Sequence, residues 1–351
     1  MHIREATQND NEELQQLQAR CPQGTTLVVS TVNKPDFFAR VKAYSDYKVY
    51  VAVEDNHIVG STACALRSAM VNGTEEKVGH VFQAFVDSDY RGRRIAGQMH
   101  QAREEYLRQK GAVLAYSIIL EGNLPSMRYI GREGFKRHRT MVMPVLAVFR
   151  EMSIELGYEI RTAAEDDLPA VASLINETWQ NHELYEPKSA EGMLQFIART
   201  PGYDFSNLFL IKEHGDILAC LGFWDWSQVM RIRVEKLSTK MKFIKLFTEL
   251  ARLFRPMPSM PSAGELIKQI MLTPIAFKRP EYLALLLRHI NNLALQKDIG
   301  YIYCVCEQGN PLLSAMRGFA HVDTAIHVYI KYFRENTMLG DKPLFIDGID
   351  L

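Results

Sequence analysis

The chain has 351 residues, 47% of them hydrophobic and 23% charged, which is enough apolar material for two buried cores at about 150 residues per domain. Its 41 basic residues balance its 41 acidic ones, so no global field favours nucleic acid, and no apolar run is long enough to span a membrane. Five cysteines scattered at 21, 64, 220, 304 and 306 lack the His/Cys partners of a zinc site, and MHIREATQND carries no apolar signal core; a cytoplasmic protein with reduced thiols and no metal is expected.

Residues 3–10, IREATQND, open into a helical pattern carried by Leu14 and Leu17. Tyr50–Glu54 and Ile58–Gly60 flank the polar turn Asp55-Asn56-His57 and read as a β-hairpin. Val81–Val86 is an apolar strand that runs through Asp87-Ser-Asp-Tyr90 into the basic loop Arg91-Gly-Arg-Arg-Ile-Ala96. The helix that follows places Ile95, Met99, Ala102 and Tyr106 on a buried stripe and Gln98, Arg103, Glu104 and Arg108 outside, and Lys110-Gly111 ends it. A glycine-containing basic loop on a helix N-terminus offers free N–H groups and positive charge, a combination suited to phosphate. Gly92 permits close backbone approach, and Arg91, Arg93 and Arg94 add charge. Neither G-x-x-x-x-G-K-[ST] nor a G-x-G-x-x-G after a first strand is present. Ala112–Leu120 is a further buried strand, followed by Glu121-Gly-Asn123-Leu-Pro-Ser126, a short helix, and Gly134-Phe135.

The second half repeats this order. Residues 160–167, IRTAAEDD, share I-R-x-A-x-x-x-D with residues 3–10 and lead into Leu168, Val171, Leu174 and Ile175 at helical spacing. Leu208–Glu213 and Ile217–Ala219 flank His214-Gly215-Asp216, and Gln308-Gly-Asn310 precedes Gly318-Phe319. Three echoes in one order mark an internal repeat. The expected domains are 1–150 and 157–334, joined near 150–157, with an irregular tail over 335–351. An insertion over 225–265 carries six basic residues and one acid between Arg231 and Lys245, then Phe243, Phe247, Leu250 and Leu253 at helical spacing, then three prolines. It reads as an amphipathic helix packed across the two domains, with a lid or partner surface as the alternative. Within each half, strand, helix, hairpin, long strand, helix, strand, helix, strand predicts a mixed α/β (α+β) fold: a mainly antiparallel twisted sheet flanked by helices.

Residues 79–135 resemble the GCN5-related N-acetyltransferase (GNAT) family, whose signature is [QR]-x-x-G-x-[GA] after the fourth strand and an Asn-x-x-[AS] helix ending in Gly-Phe. Arg91-x-x-Arg94-x-Ala96 fits except that the family glycine falls on Arg94. The resemblance covers the first half and, more faintly, the second, and describes a tandem GNAT protein. It implies an acyl-CoA co-substrate, acetyl-CoA or another, with the pantetheine arm in a splay between the fourth and fifth strands. The arm would bond backbone groups of Phe85 and Val86, and the pyrophosphate the amides of Arg91, Gly92, Arg93, Arg94, Ile95 and Ala96. Asn123 would contact the pantetheine or the active-site side of the cofactor. Attack of an amine on the thioester then needs a base, carbonyl polarisation and an acid for the thiolate. The family acid, a Tyr seven residues after the Asn, falls on Ile130, and Tyr129 lies one residue earlier, about 100° around the helix. His80, with Gln83 on the same strand, is the candidate base, and Tyr129 the candidate acid.

In the second half the matching loop is Ala276-Phe-Lys-Arg-Pro280, without glycine and with one amide removed, so that half reads as a degenerate copy that walls or binds substrate. The resulting expectation is an N-acetyltransferase acting on a small-molecule or protein amine through its first domain, with no nucleic acid or membrane partner. A non-catalytic acyl-CoA-binding regulator is the alternative. An aminoacyl transferase that uses charged tRNA is disfavoured by the intact loop and the zero net charge.

Overall fold

The computed structural model describes residues 1–154 and 157–351; positions 155 and 156, inside the expected joint, lie outside the described residues. The first half comprises β1 (His2–Glu5), α1 (Asn11–Arg20), β2 (Leu27–Asn33), β3 (Asp46–Glu54), β4 (His57–Val71), β5 (Thr74–Val86), α2 (Ile95–Gln109), β6 (Leu114–Leu120), α3 (Leu124–Arg132) and β7 (Lys136–Ala147). β3 and β4 close on a two-residue turn, Asp55-Asn56, both at positive φ (48° and 64°), the geometry that matches strand twist in a tight hairpin.

The second half comprises β8 (Glu159–Thr162), α4 (Leu168–Trp179), α5 (Ala190–Arg199), β9 (Leu208–Glu213), β10 (Asp216–Asp225), β11 (Met230–Leu237), α6 (Thr239–Arg252), β12 (Leu266–Ile267), β13 (Gln269–Phe277), α7 (Pro280–Gln296), β14 (Tyr301–Tyr303), α8 (Leu312–Ala315) and β15 (His321–Tyr332). Its hairpin turn, His214-Gly215, has the same positive-φ pair (49° and 93°). The repeated I-R-x-A-x-x-x-D motif also folds the same way twice. Arg4 grips Asp10 through two parallel bonds of 2.8 and 2.6 Å, and Arg161 grips Asp167 through two of 2.7 Å. Each carboxylate also accepts the amide three residues before it, Thr7 or Ala164, and so ties the strand to the start of the helix. Asn123 and Asn310 likewise each accept an amide at the start of their short helices.

Twelve strands form one mixed sheet in the order β1-β3-β4-β5-β6-β15-β7-β14-β13-β10-β9-β8. The halves exchange their last strands. β15 from the second half pairs with β6 along its length, Ile326 against Leu120 through Tyr332 against Leu114. β7 from the first half sits between β15 and β14 and pairs with both. One apolar cluster accordingly runs from Leu14, Leu17 and Phe37 through Leu146 to Trp179, Leu221 and Ile290.

The expected insertion holds β11, α6 and β12. β11 pairs with β2 and β12 in a separate three-stranded sheet. The helix is where expected, but its packing is not: Phe243, Phe247, Leu250 and Leu253 are 51–77% exposed, and α6 has no buried residue. Its polar side faces the proline-containing segment that follows it, with Lys245 Nζ donating to the Met260 carbonyl.

Candidate active site

The site grows out of a place where two parallel strands stop pairing. β5 and β6 are joined at Val78–Leu114, Gly79–Ala115 and His80–Tyr116, and beyond that pair the ladder ends while both strands continue. β6 is held on its other edge by β15 and β5 by β4, so the gap between them is fixed from both sides. A bulge in β5 sets Gln83 and Ala84 opposite Thr62 alone, with Gln83 at φ 49°. Gln83 is buried, and neither polar atom of its side chain has a partner among the described residues. The Asp87 amide donates to the Val59 carbonyl, so by strand alternation Phe85 also turns its backbone groups to β4 while Val86 turns its own toward the splay. Of the two backbone positions expected to meet a pantetheine, Val86 therefore faces the gap. Its carbonyl accepts Arg91 Nε at 3.2 Å, which leaves its N–H.

The loop after β5 holds the glycine and the basic residues singled out in the sequence, Arg91 to Ala96. Gly92 has φ 83° with open space around the position a Cβ would occupy. Arg94, at the N-cap of α2, has φ 62°. The side chain at the family glycine position is therefore held in the left-handed region. Among the described residues, the amides of Gly92 through Gly97 donate to no acceptor, whereas that of Gln98 closes the first helical bond on Arg94. Six N–H groups thus converge at the positive end of a fifteen-residue helix. Arg93 lies 3.4 Å from Glu54 and stacks over Tyr90; the Arg94 guanidinium has no ion pair or hydrogen bond among the described residues.

A cavity of about 610 Å³ opens on these amides, between the loop, the first turn of α2 and the length of α3. Val86, Tyr90, Arg91, Gly92, Arg94, Ile95, Ala96 and Gly97 line one side, and Pro125, Arg128, Tyr129, Arg132 and Glu133 the other. Arg128 and Arg132 were not foreseen; their i, i+4 spacing on α3 is the signal that could have found them, since it puts both guanidinium groups on one face. Asn123 is spent as the α3 cap, its Oδ1 accepting the Ser126 amide at 3.3 Å, and it stands outside the cavity wall.

Ile130 is 3% exposed in an apolar cluster with Leu107 and Phe135, so the helix register gives the family's tyrosine position to the core. Tyr129 faces the cavity instead. Its hydroxyl donates to the Ala96 carbonyl at 3.1 Å and accepts from Arg103 at 3.3 Å, and burial raises its pKa, with Arg103 opposing. Arg103, expected on the outer face of its helix, is 1% exposed. It is buried because Thr62 Oγ1 (2.5 Å), His100 Nδ1 (3.1 Å) and Tyr129 absorb its donors. His100 in turn lies 2.9 Å from Glu104, which pairs with Lys331 of β15; burial, then Arg103 and Lys331, press its pKa down.

His80 stands at the vertex of the splay and is 1% exposed. Its ring is stacked between Phe82 and Tyr116, centroids 4.6 and 4.8 Å away. Its Nδ1 is 3.0 Å from the Tyr44 hydroxyl, which is itself 3.0 Å from Asp350 Oδ1; Arg67 donates to Asp350 at 3.1 Å and to the Tyr116 hydroxyl at 3.0 Å. Burial, then the charges of Arg40, Arg67 and Arg103, hold its pKa well below the usual 6.5, so the ring is neutral at neutral pH.

The matching place in the second half is built differently. β13 and β14 pair in parallel over three residues and then part, as β5 and β6 do. Between β13, α7 and α8 a space of about 10 Å³ is walled by apolar side chains, among them Leu272, Leu283, Leu287 and Met316. α7 begins at Pro280, which has no N–H, and Lys278 and Arg279 are exposed and paired with Asp216 and Glu281.

Residues 11–135 match the model of the Acetyltransferase (GNAT) family. No curated protein matches the sequence. Among solved structures, the chain is similar in fold to N-myristoyltransferase of Saccharomyces cerevisiae with bound myristoyl-CoA, at 10% identity and a TM-score of 0.67, covering 95% of this chain and 79% of that one. It is also similar to a GCN5-related N-acetyltransferase from Sphaerobacter thermophilus, at 12% identity and 0.57, covering 96% and 97%. A glucosamine N-acetyltransferase region of a fungal multi-domain β-N-acetylglucosaminidase follows at 10% and 0.60, covering 94% of this chain and 38% of that one. The matched stretch contains the splayed strand, the amide-lined loop and the helix it caps, so the match to the Acetyltransferase (GNAT) family is to residues 11–135, the part of the chain that holds the site.

Proposed function

We propose that the chain is an N-acetyltransferase that moves an acetyl group from acetyl-CoA to a primary amine by direct attack, at a single site in its first half. The observation that carries this reading is the contrast between the two helix starts: six unbonded amides on a 610 Å³ cavity in the first half, and in the second a helix that begins at a proline without an N–H, its flanking Lys278 and Arg279 already paired. The loop amides take the pyrophosphate, and Arg91, Arg94, Arg128 and Arg132 surround it. β5 descends six residues from Val86 to His80, about 20 Å of strand, so an arm laid in the splay carries its thioester toward the vertex. The Val86 N–H is the backbone donor on that path.

The amine nitrogen attacks the thioester carbon, the C–N bond forms, and the C–S bond breaks to a thiolate that takes a proton. Two residues stand as candidates for proton transfer. His80 is neutral and able to accept, but stacked and hydrogen-bonded at the vertex; its pKa makes it a weak base that positions the cleft floor as much as it removes a proton. Tyr129 offers a hydroxyl at the cavity wall whose proton already serves Ala96. The five free cysteines, all buried, support a reducing compartment, the cytoplasm.

The engagement of both proton-transfer candidates within the fold favours one second reading, a regulator that binds acyl-CoA without turnover. A thiol-release assay over acyl-CoA donors from acetyl to myristoyl and a panel of small amines and amino-terminal peptides separates the two. Amine-dependent release from acetyl-CoA is expected. No release with any pair, alongside thermal stabilisation by acetyl-CoA, would establish the regulator; preference for a long acyl chain would overturn the choice of donor.

A further inference from the structure

We propose that α6 docks the protein onto an anionic phospholipid surface. The helix is amphipathic by spacing, with Phe243, Leu246, Phe247, Leu250, Leu253 and Phe254 on one stripe. A helix on a folded body ordinarily buries such a stripe. Here the stripe points to solvent: these six side chains are 59, 56, 69, 51, 77 and 89% exposed. Counting Ile244, seven of the fifteen large exposed hydrophobic side chains among the described residues fall within these twelve positions. The polar side holds the helix in place, through Lys245 on the Met260 carbonyl and Thr248 beside Met260 Sδ at 4.0 Å, while Ser238 caps its start at 3.3 Å. The orientation is therefore built in by bonds to the strap beneath it.

Charge decides what kind of surface fits. Arg231, Arg233, Lys236, Lys240, Lys242, Lys245, Arg252 and Arg255 face only Glu235 and Glu249 between positions 231 and 255, in a chain whose total charge is zero. Lys240 and Lys242, both exposed, border the apolar stripe at helical spacing. Aromatic and leucine side chains beside a basic flank match the boundary between phosphate headgroups and acyl chains. A second copy of this chain would bring two such cationic segments together, and an apolar groove on another protein would satisfy the stripe without the cations. No helix among the described residues is long and apolar enough to cross a membrane, so the mode is one of lying on the surface.

The test uses the full chain and vesicles of phosphatidylcholine alone or mixed with phosphatidylserine, read by co-sedimentation. The wild type should bind the phosphatidylserine vesicles at least about tenfold more than the neutral ones and be released by salt. The double substitution Phe247→Asp/Leu250→Asp should abolish binding, and Lys240→Glu/Lys242→Glu should weaken it about tenfold or more, both with unchanged circular dichroism and melting temperature because the altered side chains are solvent-exposed. Absence of binding to either vesicle, or equal binding by the double variant, overturns the proposal. A dimer in sedimentation velocity that the double variant dissolves, without vesicle binding, assigns the stripe to a second copy instead.

Discussion

At Gly92 the backbone turns to φ 83° beside five further free amides, so an aspartate there would set a negative charge next to the proposed phosphate site. Gly92→Asp should remove thermal stabilisation by acetyl-CoA while leaving circular dichroism unchanged; retained stabilisation would count against the loop as the phosphate site. Arg94 carries a left-handed strain of about 1 kcal/mol that a glycine would not. Arg94→Gly should therefore raise the melting temperature and still weaken acetyl-CoA by about 1–2 kcal/mol through the lost charge, and calorimetry reads both. Tyr129→Phe removes the bond to Ala96 and should lower kcat by less than about tenfold; a hundredfold loss would show that the hydroxyl reaches the leaving sulfur. The loop itself could be read from RGRRIA and its flanking strand. Arg103 could not: a basic residue at a helical position next to the stripe reads as solvated until Thr62, His100 and Tyr129, from three elements, are seen to consume its donors. The conformation of Arg94 was also hidden, because the sequence offers no glycine there to announce a positive φ.

Elements repeat more faithfully than the chemistry they carry. The Arg–Asp clamp appears in both halves, and Arg4 and Arg161, by hydrogen bonding, pull Asp10 and Asp167 down to about 2 from the ordinary 3.8. A carboxyl with a depressed folded pKa adds stability above about pH 4 and loses it as pH falls through about 2. Asp10→Asn/Asp167→Asn should lower the melting temperature at pH 7, by roughly 1 kcal/mol per site, and flatten its fall between pH 4 and 2. An unaltered slope would mean that the clamps contribute nothing. His80 and His100 act in a different window: both are held neutral in the fold, so their contribution is complete above the usual 6.5 and declines as pH drops below it, where the unfolded chain takes up protons that the folded one refuses. The clamps were legible as a repeated motif, and their meaning became clear only once the strand and helix start were seen to be tied by it. α6 was legible as a helix and misread as a packed one, because periodicity reports that a stripe exists and is silent on which way it faces.

In the whole molecule, the exchange of β7 and β15 joins the two copies into one sheet. Residues 1–150 by themselves would lack β15 and expose the edges of β6 and β7, so that fragment should aggregate or remain unfolded alone and recover on co-expression with 157–351, as circular dichroism of the separate and joined fragments would show. The repeat and the mixed sheet could be inferred from three local echoes. The exchange could not, since strand partners far apart in sequence leave no mark on either strand's own pattern. The difference of the second half was foreshadowed by Pro280, which opens α7 without an N–H, and by Lys278 and Arg279, which pair with Asp216 and Glu281. One open site in two copies of the same fold is the central claim, and titration calorimetry of acetyl-CoA into the full chain tests it directly. A stoichiometry near one, abolished by Gly92→Asp, is the predicted result; a stoichiometry near two, or tight binding that survives the substitution, would contradict it.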